Sequence, residues 1–291
     1  MDRAAQGVVP RRERVMVATE PATRVTELLE RPRYEVIPLD GTEDEVLEHV
    51  PREVTVTVTA SPTRGLEPTL RLTSSLARHG YDVVPHLSSR SVTDAAEVAE
   101  IVDRLRGDDV RNVFVVAGDA EEPRGPFHGA IDLLEALGEL GRPFAEVGIT
   151  GYPEPHPLFD DRTAVAAMSA KARHATYVVS QVCFDPAVTA SWIEGVWARG
   201  TRLPVFVGIP GAVPRAKLLR VSTRIGIGDS LRFLRKNGSF AGRLVRGFDP
   251  DRLIDGLGAV VSTEKVAGLH VFTFNDVADT EAWRRRRLDG S

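Results

Sequence analysis

Apolar and polar positions in this chain follow two periods that alternate along its length. Eight short runs rich in β-branched and aromatic residues end in polar, glycine or proline-bearing turns, which is typical of buried strands. Longer segments between them carry apolar residues at three- and four-residue spacing, which predicts amphipathic helices. The strand runs are Tyr34–Leu39, Val54–Ala60, Tyr81–His86, Val113–Ala117, Glu146–Thr150, Tyr177–Phe184, Leu203–Ile209 and Leu269–Phe274. The helical segments are Leu66–His79, Thr93–Arg106, Gly129–Leu140, Arg162–His174 and Val188–Arg199.

Alternation of strand and helix predicts a parallel sheet, because parallel strands need a long crossover that a helix supplies while it covers the sheet. Eight repeats favour closure into a single α/β unit, a (βα)8 TIM barrel, which a chain of 291 residues accommodates. An open doubly wound sheet is the alternative. No Gly-x-Gly-x-x-Gly follows the first strand, however, and Gly226-Ile227-Gly228 comes late in the chain.

The two ends of the chain and the last repeat depart from this regular pattern. We predict a polar N-terminal arm over residues 1–30, the barrel over 31–280 and a charged, solvated C-terminal tail over 281–291, which includes the arginines 284–287. The last unit is elaborated, since the long interval 210–268 contains helical patterns at Arg215–Arg224, Gly228–Asn237 and Asp249–Ser262. In the third pattern, Asp249 suits an N-cap and Pro250 the first helical position.

Composition excludes several classes of partner. A net charge of -4 gives no reason to expect nucleic acid, and the single cysteine, Cys183, rules out a cysteine-based zinc site. No apolar stretch approaches the ~20 residues that span a bilayer, and the N-terminus has no apolar signal region. We therefore expect a cytoplasmic protein without membrane contact, and leave open whether identical subunits associate.

Candidate chemistry lies where the predicted strands end, because the active site of such a barrel forms at their C-terminal ends. The first strand carries a carboxylate, Glu35, among apolar neighbours, which is costly unless it is paired or kept protonated. The other polar candidates at strand ends are Thr59, His86, Asp119, Tyr152, His156, Gln181 and Asp185. A proton-transfer site, a heterocycle pocket and a metal site are all compatible with this set. Metal is the weakest, since no His-x-x-x-His or His-Glu-x-x-His spacing is present.

Seven segments resemble the methylenetetrahydrofolate reductase family over nearly the whole chain. The most specific are Gly-Tyr-Pro-Glu-Pro-His-Pro at 151–157, Ser-Gln-Val-Cys-Phe-Asp at 180–185 and Gly-Leu-His-Val-Phe-Thr-Phe-Asn at 268–275. The others are Tyr34-Glu35-Val36-Ile37-Pro38, Thr57-Val58-Thr59, Pro85-His86-Leu87 and Gly118-Asp119. The resemblance implies a (βα)8 barrel that reduces 5,10-methylenetetrahydrofolate to 5-methyltetrahydrofolate, within one-carbon metabolism and methionine biosynthesis.

The resemblance also implies roles for particular residues. Glu35 matches the family's catalytic glutamate, and Asp119, Gln181 and Thr59 match positions that bind the folate substrate. The positions of His86, Tyr152, His156 and Lys171 correspond to cofactor binding. A carboxyl of raised pKa at Glu35 suits delivery of a proton to N10, which opens the imidazolidine ring to a reactive 5-iminium.

Several flavin-contact positions depart from the family pattern. Ala117 replaces an arginine before Gly118-Asp119, and Ala164 and Ala167 stand where the family has Asp and Asn, although Lys171 is kept. Each lost hydrogen bond to a charged group is worth about 1.5–3 kcal/mol. We therefore favour NADH or NADPH as a direct hydride donor beside the folate, as in flavin-free reductases similar to this family, over FAD.

Three alternatives remain at this stage. One is an FAD enzyme with remodelled contacts, and another is a non-catalytic pterin-binding paralogue that keeps the barrel. The third is an unrelated barrel lyase or aldolase, which requires a Schiff-base lysine at a strand end, whereas the lysines here fall in helical or loop segments.

Overall fold

The computed structural model describes residues 21–60, 64–154, 160–214, 217 and 250–290. Eight parallel strands pair in chain order, and the first pairs with the eighth, so the sheet closes into a barrel. This confirms the (βα)8 prediction. The strands are β1 (Arg33–Val36), β2 (Thr55–Val58), β3 (Val83–Ser88), β4 (Asn112–Val116), β5 (Glu146–Gly151), β6 (Tyr177–Ser180), β7 (Val205–Pro210) and β8 (Val266–Phe272).

Six of the nine described helices match predicted helical segments, and the other three, at residues 21–30, 42–49 and 277–289, lie where no helix is predicted. The nine are α1 (Pro21–Glu30), α2 (Thr42–His49), α3 (Glu67–Arg78), α4 (Ala95–Gly107), α5 (Ala130–Glu139), α6 (Asp161–Ala172), α7 (Pro186–Ala198), α8 (Pro250–Val261) and α9 (Val277–Asp289). Helix α8 confirms the third pattern of the elaborated unit and begins at Pro250. The patterns at 215–224, apart from residue 217, and at 228–237 lie outside the described residues, as does Asp249.

Two described segments, residues 21–30 and 277–289, are helical where the sequence predicts an arm and a tail. The boundary of the polar arm at residue 30 is a correction, because α1 occupies residues 21–30 and buries Leu28 and Leu29. The solvated C-terminal tail is a second correction. Residues 281–289 belong to α9, in which Glu281 and Arg284 are buried and paired with each other.

The apolar core has an outer layer between sheet and helices and an inner layer inside the ring of strands. Val56, Val113 and Val207 are fully buried in the outer layer. Inside the ring lie Val84, Phe114, Tyr177 and Val179. Adjacent residues of each strand supply the two layers, because side chains alternate across a strand.

A polar cluster forms the floor of the barrel interior. The Arg33 guanidinium lies over the rings of Phe206 and Tyr177, at 3.5 and 4.3 Å from their centroids. The Glu146 carboxylate accepts hydrogen bonds from Arg33 (3.4 Å) and from the Asn112 amide (2.7 Å), and Tyr177 donates to Asn112 at 2.8 Å. Burial raises the pKa of Tyr177 to about 12, so the phenol stays protonated and donating.

Gly148 on β5 makes room for this cluster. A Cβ there would lie 2.3 Å from the nearest ring atom of Tyr177, well inside van der Waals contact. The missing side chain therefore lets a large ring from the neighbouring strand fill the interior.

Candidate active site

Glu35 faces the inside of the barrel. The hydroxyl of the preceding Tyr34 donates a 3.0 Å hydrogen bond to Glu281 of α9, outside the sheet. Because successive side chains of a strand point to opposite faces, Glu35 points inward. Its side chain is 16% exposed, so the carboxylate is half-buried near the C-terminal end of β1.

Two imidazoles lie beside this carboxylate. Nε2 of His270 on β8 is 3.0 Å from Oε2 of Glu35, and Nε2 of His86 on β3 is 3.8 Å from the same oxygen. Burial lowers the pKa of His86 to about 4, against the attraction of Glu35, so His86 is neutral at neutral pH. Glu35 and His86 were predicted as site residues from the sequence. His270, on the last strand, joins them because the barrel closes.

The end of β8 is tied to the end of β1 by two polar side chains. The Thr273 hydroxyl donates to the backbone carbonyl of Glu35 at 2.6 Å. The Asn275 amide bonds both backbone groups of Ile37, accepting from its N–H at 2.7 Å and donating to its carbonyl at 2.9 Å. Phe274 and Asn275 both have positive φ (49° and 65°), a tight turn that aims the amide back at β1. These bonds fix the backbone that carries Glu35.

A second polar group forms where β4 and β5 end. Lys171 on α6 is buried and its Nζ lies 3.3 Å from the Thr150 hydroxyl. Burial lowers the pKa of Lys171 to about 8. Burial also raises the pKa of Tyr152, and the nearby charge of Asp119 raises it further while a hydrogen bond with Thr150 opposes the shift. The structure thus brings Asp119, Tyr152 and Lys171 together.

Asp119 is exposed in the turn after β4, and backbone contacts hold that turn against the one after β3. Arg90 N–H donates to the Ala117 carbonyl at 3.0 Å, and its guanidinium donates to Ala120 at 2.9 Å. Gly118 has φ 89°, and a Cβ there would meet the Ser88 hydroxyl at 1.9 Å. Only glycine fits both the left-handed conformation and the close approach.

The remaining sequence candidates have distinct positions. Thr59 lies just beyond β2, half-buried, and its N–H donates to the Val36 carbonyl at 2.9 Å. Gln181 lies just beyond β6 and its side-chain oxygen accepts from Val182 N–H at 2.9 Å. Asp185 caps α7 by accepting from Ala187 and Val188 N–H. His156 lies outside the described residues.

The residues at the expected flavin positions give little to hold a flavin. Ala117 is exposed, Ala167 is exposed on α6, and Ala164 turns a methyl group to a cavity of about 540 Å³ between α6 and α7. Of these four positions, only Lys171 keeps a polar contact group. In the same part of the chain no group of three His, Cys, Asp or Glu side chains is arranged to hold a metal ion. Nor is any described helix long and apolar enough to cross a membrane.

The closed ring of parallel strands with titratable groups at its C-terminal mouth places the protein in the class of (βα)8 barrels. Solved structures agree on this fold. Oxaloacetate acetylhydrolase, in complex with the inhibitor 3,3-difluorooxalacetate, is 10% identical over 92% of this chain and 84% of its own, with a TM-score of 0.52. 2,3-Dimethylmalate lyase, a PEP mutase/isocitrate lyase superfamily member, is 11% identical over 94% and 87%, with a TM-score of 0.50. At such identities the likeness shows the fold alone.

The family is shown by sequence. A profile of the methylenetetrahydrofolate reductase family matches residues 42–227, more than half of the chain, and the chain belongs to this family. The match includes the positions of Thr59, His86, Asp119, Lys171 and Gln181. Glu35 and His270 lie outside it, on the two strands that close the barrel.

Sequence reasoning missed His270 as a site residue, although it quoted the segment that contains it. The signal was the spacing of His270, Thr273 and Asn275 after Gly268. Its meaning depends on the pairing of β8 with β1, which periodicity within either strand does not reveal.

Proposed function

We propose that this protein reduces 5,10-methylenetetrahydrofolate to 5-methyltetrahydrofolate, taking hydride directly from NADH or NADPH without a bound flavin. Membership of the methylenetetrahydrofolate reductase family supports the substrate and the product. The observation that carries the chemical proposal is the inward-facing carboxylate of Glu35 at the mouth, hydrogen-bonded to an imidazole on one oxygen.

Glu35 acts as the proton donor that opens the folate ring. Its proton passes to N10 of the substrate while the bond between N10 and the methylene carbon breaks, and the electron pair of that bond stays on N10. The remaining 5-iminium carbon then accepts a hydride, which reduced nicotinamide supplies when bound. A carboxyl suits this task because it can donate a proton to N10 and then carry the negative charge that remains.

Asp119 and Gln181 orient the pterin. Asp119 follows β4 and Gln181 follows β6, with β5 between them, and a carboxylate and an amide match the donor-rich edge of a pterin ring. The Gln181 side chain is held by its bond to Val182 N–H, which limits the number of conformers it must lose on binding. Thr59, beyond β2, completes the folate contacts in this proposal.

Lys171, with Tyr152, His86 and His156, serves the nicotinamide cofactor. The described contacts of the Lys171 ammonium include the neutral hydroxyl of Thr150 and no carboxylate. A buried cation of this kind is stabilised by an anion, and a phosphate of NADH or NADPH supplies one. Such a contact favours a dinucleotide beside the folate in a ternary complex.

The test combines a spectrum with an assay. The purified protein is expected to lack a stoichiometric flavin band at about 450 nm and to oxidise NADH or NADPH only when methylenetetrahydrofolate is present. A stoichiometric flavin band contradicts the flavin-free form of the proposal and supports an FAD enzyme with altered contacts. If addition of methylenetetrahydrofolate produces no oxidation of reduced nicotinamide, the result supports the non-catalytic paralogue.

Glu35→Gln is expected to lower the folate-dependent rate by about 10²–10⁴, the usual scale for removing a catalytic acid, while folate binding is retained. Exposed Glu139→Gln on α5 is the matched control and is expected to keep the full rate. A Glu35→Gln protein with nearly full activity contradicts the role given to Glu35.

A further inference from the structure

We propose that His270 is a positioning residue that binds Oε2 of Glu35 through its Nε2–H and so leaves Oε1 as the atom that carries the transferable proton. This inference rests on the proposed role of Glu35. It begins from the 3.0 Å contact between β8 and β1, in which a 1% exposed imidazole meets a half-buried carboxylate.

The surroundings of the His270 ring select its tautomer. Nδ1 is buried and has no hydrogen-bond partner among the described residues. With the proton on Nε2, the ring donates to Glu35 and leaves only an acceptor unpaired at Nδ1. With the proton on Nδ1, or on both nitrogens, an N–H donor is left unpaired in the interior of the barrel. Because unpaired buried donors are costly, the geometry favours the Nε2–H form.

Aromatic packing holds the ring in this orientation. Phe272 meets the His270 ring edge to face, with centroids 4.9 Å apart, and Phe274 stacks on Phe272 at 6.3 Å. The Thr273 hydroxyl meanwhile fixes the Glu35 backbone from the same segment of chain. The donor and the carboxylate are therefore positioned by one turn at the end of β8.

His86 does not take over this task. Its Nε2 lies 3.8 Å from Oε2, beyond hydrogen-bond distance, and has no partner among the described residues. His86 is also the remaining basic group within 4.0 Å of the carboxylate in the described part of the chain, and it is neutral at neutral pH because of its burial. Among the described residues, His270 is therefore the imidazole that hydrogen-bonds the Glu35 carboxylate, and it does so at Oε2.

The consequence is directional proton transfer. Oε2 is engaged as an acceptor, so the proton of the neutral acid resides on Oε1. When that proton moves to N10, the carboxylate that forms is already bonded to an N–H. This bond strengthens as charge develops, which stabilises the transition state more than the ground state.

The test compares His270→Leu with His270→Gln. Leucine removes the donor and is expected to lower kcat by about 10–100-fold with the KM for folate nearly unchanged. It is also expected to move the alkaline limb of the kcat profile to higher pH, because the charged carboxylate loses the hydrogen bond that stabilises it. Glutamine places an amide N–H near the position of Nε2 and is expected to recover most of the rate and the original limb. Exposed His79→Leu is the control.

A measurement without turnover separates this inference from the proposed function. Imidazole ¹⁵N NMR is expected to show His270 protonated at Nε2 and not at Nδ1, with the Nε2–H signal shifting in Glu35→Gln. A proton on Nδ1, or a His270→Leu protein with unchanged kcat and pH limb, overturns the inference. If the wild-type protein shows no folate-dependent oxidation of reduced nicotinamide, the proposed function fails, and the NMR result alone decides whether the hydrogen bond exists.

Discussion

Three titratable side chains at the barrel mouth respond to burial in different ways. Glu35 keeps partial exposure and gains an imidazole donor. His86 is buried, with no hydrogen bond to Nε2 from the described residues, and loses its charge. Lys171 is buried beside a hydroxyl, and its pKa falls to about 8. Titratable side chains with perturbed pKa values that cluster at one end of a barrel are typical of a functional site.

His86 makes the stability of the protein depend on pH. Its folded pKa of about 4 lies below the ordinary value of 6.5, so the unfolded chain binds more protons between these values. The contribution of His86 to the free energy of unfolding is full above pH 6.5. It falls by about 3 kcal/mol as the pH drops to 4. We expect His86→Phe to flatten this dependence in urea unfolding at pH 7 and pH 4.5. Exposed His79→Phe should leave it as in the wild type, and an unchanged slope in His86→Phe contradicts the assignment.

Lys171 is expected to lower the free energy of unfolding while it contributes to the binding of NADH. Burial of its ammonium disfavours the charged form, a penalty that is full below pH 8 and disappears as the pH rises through 10.5. Lys171→Met should therefore raise the free energy of unfolding at pH 7 by about 1–3 kcal/mol and raise the KM for NADH at least 10-fold. Arg162→Met, exposed on the same helix, should change neither quantity. An unchanged KM argues against a cofactor role.

Single residues were predictable from sequence to different degrees. Glu35 stood out because a carboxylate in a strand-like run is unusual, and Asp119 because it follows a strand. His270 acts on a residue 235 positions away. No local pattern carries that information, because it arises only when the last strand pairs with the first.

At the scale of elements, the interior of β5 depends on a missing side chain. Gly148→Ala would place a Cβ 2.3 Å from the Tyr177 ring, which hydrogen bonding to Asn112 and the Arg33 guanidinium hold in place. We expect a loss of about 1–3 kcal/mol in the free energy of unfolding, measured by urea denaturation. Gly107→Ala, with open space around it in α4, should be neutral or slightly stabilising. Equal effects at the two positions contradict the packing argument.

Element types followed from periodicity, and the misses have physical reasons. Helix α2 was not predicted, since its sequence TEDEVLEH buries only Thr42 and Val46 and is otherwise acidic and exposed. The strands are shorter than several predicted runs. After β6, for example, Val182 and Phe184 belong to a turn and pack against other apolar residues without pairing in the sheet.

At the scale of the whole molecule, α9 packs on the outside of the barrel and is hydrogen-bonded to α1 and β1. Arg284 pairs with Glu281 and donates to the carbonyls of Leu29 and Glu30, at the end of α1. Glu281 in turn accepts from Tyr34 on β1. The run of arginines gave no sequence signal of this burial, since one of its members points inward while Arg285 and Arg286 remain exposed.

Arg284→Met should lower the free energy of unfolding by about 3–5 kcal/mol, because it leaves the Glu281 carboxylate buried without its main partner. Arg286→Met on the same helix should change it by less than about 0.5 kcal/mol. Thermal and urea unfolding of the two variants provide the comparison. Similar stabilities of the two variants would contradict this prediction and would indicate that Arg284 is a solvated surface residue.

The pairing of β1 with β8 gives the protein a built-in delay during synthesis. Glu35 and His270 are separated by 235 residues, which a ribosome adds in roughly 10–50 s at about 5–20 residues per second. The acid therefore leaves the ribosome long before its imidazole partner exists. A nascent or truncated chain that lacks the last strand has Glu35 without His270, so under the proposed mechanism we expect it to reach full activity only once translation has run to the final strand.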